Sequence, residues 1–488
     1  MTGYLYELPT TGAFSFADSC VDSTATYTTH IAETTESRAN LRAALKESKR
    51  ADIGEKDFLK LVKVLDEYIP KLYGILSCVE TAEIVLKAEP VFSWRTTLSA
   101  TLFHNSPRLS LPAFSTEVIF VLLTYAFSIS NLSRAVVHSL GSYETDRSTS
   151  DADRKAKDDR LTFAITLLCK AAGLYEYVGK HAVAAWEANR ARLLSLGTVP
   201  CPRPPPDVSR EVAIGLGKMA LADAQSLAIR KLLSRAAAES ALTPGPPLPR
   251  SHPAPALVAK LHLECAALYG TARSLVKTPG AARPAGKSKL RLGLGRDREK
   301  GAGAGEEAGD EVTPELRRYL ADEAALHGAL ARKWLGVDAG ENGGTPKGGV
   351  AVGFLAWAKR MIGSEREKDM RERRKARVQE ELGSTNTFLV GYKRINDTVS
   401  RHPVASGACL PPVPPQSELQ AMIPAGVAAV AVKAYSKPVP AFGPGSVEYA
   451  RKQAEDLELL DASPDTNDVH LSSPPGSSKS YAGADAYY

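Results

Sequence analysis

The chain lacks the residue spacings on which most protein chemistry depends. Its six cysteines, Cys20, Cys78, Cys169, Cys201, Cys265 and Cys409, contain no CxxC pair and no framework spacing. That excludes a zinc ribbon or a disulfide scaffold and fits reduced thiols packed as small hydrophobes. The nine histidines are dispersed, with no HExxH helix and no zinc-finger spacing. His252 and His262 read as exposed or core-satisfied residues rather than ligands. No GxSxG elbow is present. Gly293-Leu294-Gly295 and the Gly301 to Gly305 run neither follow a strand nor lead into a Lys-Ser/Thr, so they read as low-complexity sequence rather than phosphate loops. No enzyme, metal site or cofactor is expected.

A dominant charge is missing as well. The net charge of +6 is small for 488 residues, which removes nucleic acid as an expected partner. The one basic run, Lys287 to Arg298, sits in low-complexity sequence. The longest apolar stretch, Val118 to Ile129, is shorter than the roughly 20 residues that span a bilayer. Met1 to Glu7 has no basic flank or apolar run, and the chain closes without a prenylation box. The expectation is a cytoplasmic protein whose membrane association is indirect, through partners.

What is present is helix. Hydrophobic residues make up 44% of the chain, enough for a sizeable core. Phe58, Leu61, Val62, Leu65, Ile69, Leu72, Leu76 and Val79 fall on one face at helical spacing, with Pro70 expected to kink it. Leu257, Leu261, Cys265, Leu268, Ala272 and Leu275 repeat the stripe. Thr313-Pro314-Glu315 reads as a helix start, with a hydroxyl N-cap, proline at the first helical position and an acid near the positive dipole end. Leu316, Leu320, Ala324, Leu330 and Trp334 follow it. A helix from about Thr116 to Leu140 is apolar nearly all round and should lie centrally. Ser364 to Glu381, dense in both charge signs, reads as a solvated helix face or a docking surface. Residues 199–207, 243–255 and 410–415 are proline-rich connectors. Residues 278–311 have few large apolar side chains and are expected to be a disordered loop, and 461–488 a disordered acidic and Ser/Pro-rich tail. The domain reading is one body over 1–460. The Pro-interrupted stretch around Ile423, Val439 and Phe442 should form a strap along its helices.

Several stretches together resemble a known family. They are Phe92-x-Trp94, Glu117-x-x-x-Val121-Leu122 continuing to Ala126 and Leu132, Ala171 to Tyr175, Leu221-Ala222-Asp223-Ala224-Gln225 followed by Lys231, and Tyr269. They are similar to successive hallmarks of the BRO-type domain shared by Alix and the fungal adaptors of ambient-pH signalling. Ser251-His252-Pro253, Arg317 to Ala324, Trp334 to Asp338 and Ala441 to Ala450 resemble the fungal pH-response members.

The resemblance implies an all-α, curved helical solenoid of TPR-like helix pairs with a small N-terminal β element, for which Tyr4 to Leu8 is the candidate strand. It implies no enzymatic activity. It also implies binding of the C-terminal amphipathic helix of an ESCRT-III subunit, contacts with other pH-signalling components, and a place upstream of proteolytic activation of a PacC-type transcription factor. Recruitment to plasma-membrane or endosomal ESCRT sites follows. A general endosomal-sorting adaptor is the alternative. The chain ends soon after the BRO-type body, so the coiled arm that follows it in Alix is not expected. Tyr68-Ile69-Pro70-Lys71-Leu72 faintly resembles a partner motif for such arms, but its place in a helix favours core packing. Helix-in-groove recognition needs exposed apolar anchors on a rigid helix. Leu161 to Val178 carries apolar residues on more than one face, and the expected partner patch is Leu161, Ile165, Leu168 and Tyr175.

Overall fold

The computed structural model describes residues 3–52, 56–99, 108–146, 148–197, 204–277, 312–364, 372–399 and 413–461. The expected loop at 278–311 lies outside these residues, as does 462–488 of the expected tail. The long helices are α2 (Thr28–Arg50), α3 (Phe58–Glu80), α4 (Phe114–Leu140), α5 (Asp151–Tyr177), α6 (Val183–Leu196), α7 (Arg210–Leu242), α8 (Pro255–Leu275), α9 (Pro314–Asn342), α10 (Gly348–Gly363) and α11 (Glu372–Val399). Short α1 (Phe16–Ser19) and α12 (Gln416–Ala421) and the closing α13 (Val447–Asp461) complete them. Packing follows chain order: α2 on α3, α3 on α4, α4 on α5, α5 on α7, then α7 to α11 each on the next. Each helix buries one face against its predecessor and another against its successor, which makes a curved helical array rather than a single bundle.

α4 occupies the centre, as its composition requires. It is buried from Phe114 through Glu117 and almost continuously from Ile119 to Asn131. By length and composition α4 could cross a membrane, and so could the helical segments 151–196 and 210–242, although 56–78% of each apolar window lies inside the body. The twelve-residue run that reads as too short belongs to a longer helix whose apolar surface α3, α5 and α6 cover.

The Phe-x-Trp signature lies on a strand. β3 (Val91–Arg95) pairs antiparallel with β4 (Arg108–Pro112), with Phe92 opposite Leu111 and Trp94 opposite Leu109. Alternation sends Phe92 and Trp94 inward together, and both are fully buried. The Trp94 indole N–H donates to Glu117 Oε2 at 2.7 Å, and the Tyr68 hydroxyl donates to Oε1 at 2.9 Å. The Arg38 Nε donates to the same Oε1 at 2.8 Å and Nη2 to Oε2 at 3.2 Å. One buried carboxylate thus joins α2, α3, α4 and the hairpin, with charge and hydrogen-bond capacity both met. Burial opposes the Arg38 charge and Glu117 more than restores it, so the guanidinium pKa is raised. Tyr68 and Ile69 are core residues, so the faint partner motif is packing.

Several local expectations change in three dimensions. Tyr4 to Leu8 is extended but joins no sheet. Instead the Asn131 side chain accepts from Tyr6 N at 3.0 Å and donates to Tyr6 O at 2.9 Å, replacing a strand neighbour. The small β element is built from the β3–β4 hairpin and from β1 (Cys20–Val21) against β2 (Val85–Leu86). Pro70 lies inside α3 without ending it. α9 starts at Pro314 as read, yet Thr313 makes no side-chain cap. Its N–H is drawn to Leu98 O at 2.9 Å, beside the Ser99–Val312 bridge. The charge-dense segment is only partly solvated: Arg374 and Arg377 reach Glu323 on α9 at 2.6 and 3.0 Å, and Glu381 pairs with Lys333 at 2.8 Å. Cys20, Cys78, Cys169 and Cys265 are free and buried; Cys201 and Cys409 lie outside the described residues.

Candidate partner-binding surface

α5 begins where Ser150 caps the helix. Its hydroxyl accepts from Asp153 N at 3.1 Å, and Asp151 and Asp153 stand in the positively polarised first turn. Leu161, Ala164, Leu168, Ala171 and Tyr175 recur at helical spacing and all point inward. Leu161 and Leu168 enter a cluster with Val137, Leu140 and Tyr143 of the α4 end and Ala224 and Leu227 of α7. Tyr175 lies in the main core, its ring 6.2 Å from Tyr6 and 6.0 Å from Phe127.

The expected patch is therefore corrected at three of its four positions. Leu161, Leu168 and Tyr175 are buried, and only Ile165 stays half-buried at the surface. α5 is held between α4 and α7, so its buried arc is wider than a helix with a single neighbour would have. The large apolar residue left in solvent is Phe163, 51% exposed, with Leu167 half-buried one turn on.

A second element crosses α5. Residues 423–442 run extended across four helices. Val427 N donates to Lys260 O of α8 at 3.1 Å. The Gln225 carboxamide of α7 brackets the strap, donating to Val427 O and accepting from Ala429 N, both at 2.8 Å. Lys433 N donates to Cys169 O of α5 at 3.1 Å, and Ala441 N to Pro70 O of α3 at 3.0 Å. Gly173 makes the α5 crossing possible, since a Cβ there would stand 1.9 Å from the Lys433 carbonyl oxygen. Phe442 closes the strap, buried over Gly74 and stacked on His30 at 4.6 Å. Of the expected anchors Phe442 is buried, Ile423 half-buried and Val439 58% exposed.

The apolar side chains left at the surface are Phe163 and Leu167 on one side of α5, Ile165 on the other, Leu257 on α8, and Val427 and Val439 on the strap. Cations stand among these elements. Lys170 Nζ lies 4.8 Å from the Tyr125 ring centre, Lys231 donates to Thr162 at 2.6 Å, and Lys433 is exposed on the strap. Sequence reasoning missed the bracketing role of Gln225 and the strap crossing at Gly173. A glycine inside an otherwise strong helix was the one readable signal of close backbone approach.

A BRO1-like domain model matches residues 17–442. The chain belongs to the BRO1-like domain family. It is 33% identical over 500 residues to the pH-response regulator protein palC of Cryptococcus neoformans var. neoformans serotype D (strain B-3501A), covering 96% of this chain and 98% of that protein. Among solved structures it is similar to ALIX bound to the SIVmac239 PYKEVTEDL late domain, with TM-score 0.57 and 16% identity. That likeness covers 94% of this chain but only 54% of the ALIX chain. The ALIX BRO1–CHMP4C complex matches with TM-score 0.55 and 15% identity over 92% of this chain and 100% of its counterpart. At these identities the two structures share the fold, with the BRO1 body as the common part.

Proposed function

We propose that this BRO1-family chain is a non-enzymatic adaptor of the ambient, alkaline pH-response pathway. In this reading it binds an ESCRT-III subunit through that subunit's C-terminal amphipathic helix and promotes proteolytic activation of a PacC-type transcription factor. The observation that carries the reading is end-to-end similarity to a pH-response regulator, with 96% of one chain aligned to 98% of the other. The partner class is supported by the shared fold with the BRO1 domain of the ALIX BRO1–CHMP4C complex. α5 carries the proposed docking surface, with Phe163 and Leu167 as anchors in place of the buried Leu161, Leu168 and Tyr175. The protein would act from the cytoplasm, reaching plasma-membrane or endosomal ESCRT sites through its partners.

The test is a two-part replacement. A fungal strain lacking its palC-type gene should regain growth at alkaline pH and processing of the transcription factor when given this chain. Purified chain should also capture an ESCRT-III subunit that retains its C-terminal helix and fail to capture one without it. Capture without rescue would favour a general endosomal-sorting adaptor, and failure of both arms would remove the proposal.

A further inference from the structure

A cavity of about 40 Å³ with polar and apolar lining opens between the N-terminal residues and helices α4, α5, α7, α8, α9 and α11. By volume it has room for about three water molecules. Asp223 of α7 stands on its wall. The Tyr269 and Tyr319 hydroxyls both donate to Asp223 Oδ1, the second at 2.7 Å. No ion pair joins Asp223 to a described cation, whereas its neighbour Glu323 holds Arg374 and Arg377 at 2.6 and 3.0 Å.

One further group at the cavity lacks a partner: Arg377 Nη2 is buried and makes no hydrogen bond among the described residues. A buried unmet donor beside a cavity with room for water marks a place that water can fill. Arg377 Nη1 serves Glu323, and Arg377 lines the cavity together with Asp223.

We propose that Asp223 is a proton-binding site, and that its ionisation draws Arg377 from Glu323 toward the cavity and resets how α11 sits on α9. Protonated, Asp223 asks for no counter-charge, and Arg377 stays with Glu323. Ionised, it becomes a second carboxylate beside the same cavity, competing with Glu323 for the Arg377 guanidinium. α11 is the element that would respond, because the N-terminal half of its hold on α9 runs through Arg374, Arg377 and Glu381, with Val378 packed on Ala329 of α9 and Ile362 of α10, while Phe388 and Tyr392 hold its other half to Trp334 and Glu341.

The groups facing Asp223 decide the direction. Burial pushes its carboxyl up to about 7, while the Tyr269 and Tyr319 phenols pull it down, Glu323 raises it and Arg377 lowers it. Tyr6 from the N-terminal segment, Tyr175 from α5 and Cys265 from α8 also feel its charge, and Arg134 of α4 and Tyr4 line the cavity. An acid raised above its ordinary 3.8 keeps its proton longer when folded. The stability it contributes is therefore complete at low pH and lost as pH rises through about 7. His262 and His327, paired at 2.9 Å and held well below 6.5 by burial, act in the opposite sense, costing stability as pH falls. Asp207, raised to about 6 by burial among backbone N–H donors near Thr97 and Leu98, finishes titrating earlier.

The experiment compares wild type with Asp223→Asn, which keeps the shape and fixes the neutral form. Melting temperatures are taken from about pH 5.5 to about pH 8, with hydrogen exchange of α11 corrected for intrinsic rate. The histidine and Asp207 contributions are common to both proteins and cancel in the difference. Wild type should lose melting temperature relative to the variant as pH rises, and protection in α11 should change in wild type alone. Parallel curves, or the same α11 change in both, would overturn the proposal. If Asp223→Asn does not fold, Tyr319→Phe decides. Removing a donor to the carboxylate should move the wild-type transition to higher pH, and an unmoved transition overturns the proposal.

Discussion

The Glu117 carboxylate shows how far one residue can act. It receives Arg38, Tyr68 and Trp94 from three separate elements, and both charged side chains are within 2% of complete burial. Breaking a buried pair from one side leaves an uncompensated charge, which costs more than the pair is worth intact. Glu117→Gln should therefore lower unfolding stability by about 3–5 kcal/mol in a denaturant titration. Tyr68→Phe, which removes one neutral donor, should cost only about 1 kcal/mol. Equal losses from the two variants would mean that the network acts through packing rather than charge.

For α5 the question is which face is free. Phe163→Asp replaces a half-exposed ring, so its effect on stability should stay within about 0.5 kcal/mol while capture of the ESCRT-III helix drops at least about tenfold. Leu168→Asp puts a charge into the α4–α5–α7 cluster and should unfold the protein or cost more than about 3 kcal/mol. Circular dichroism melts paired with pull-downs separate the two. Intact binding by a folded Phe163→Asp protein would move the docking surface elsewhere. The strap gives an independent prediction. Gly173→Val must push the Lys433 carbonyl away, since even a Cβ would fall 1.9 Å from it. Residues 423–442 should then become sites of early cleavage in limited proteolysis, with α5 still helical. Phe442→Ala, removing the buried terminal anchor, should do the same.

Across the whole molecule, neighbour-on-neighbour packing means that stability is spread along the array. Sequence composition at 278–311 and 462–488 offers little apolar surface to offset the roughly 1–2 kcal/mol per residue of backbone ordering. Deleting both segments should leave the melting temperature and helical signal of the body unchanged. A loss of cooperativity on deletion would show that one of them docks.

Helix periodicity was enough to place α3, α8 and α9, because 3.6-residue spacing is a local property that survives into the fold. The all-round apolarity of α4 likewise announced a central helix, whereas Phe92-x-Trp94 was legible as a family signature and not as a strand. The facing of α5 was a different kind of question. Leu161, Leu168 and Tyr175 form one stripe and Phe163 and Leu167 another, both equally apolar in one dimension. Only the arrival of α4 on one side and α7 on the other chose between them. The same limit applies to Gln225, Gly173 and Arg377, whose partners Val427, Lys433 and Glu323 are 202, 260 and 54 residues away or on another helix. Spacing along a chain determines which face a helix can bury, whereas which face it does bury depends on neighbours that only the tertiary structure brings together.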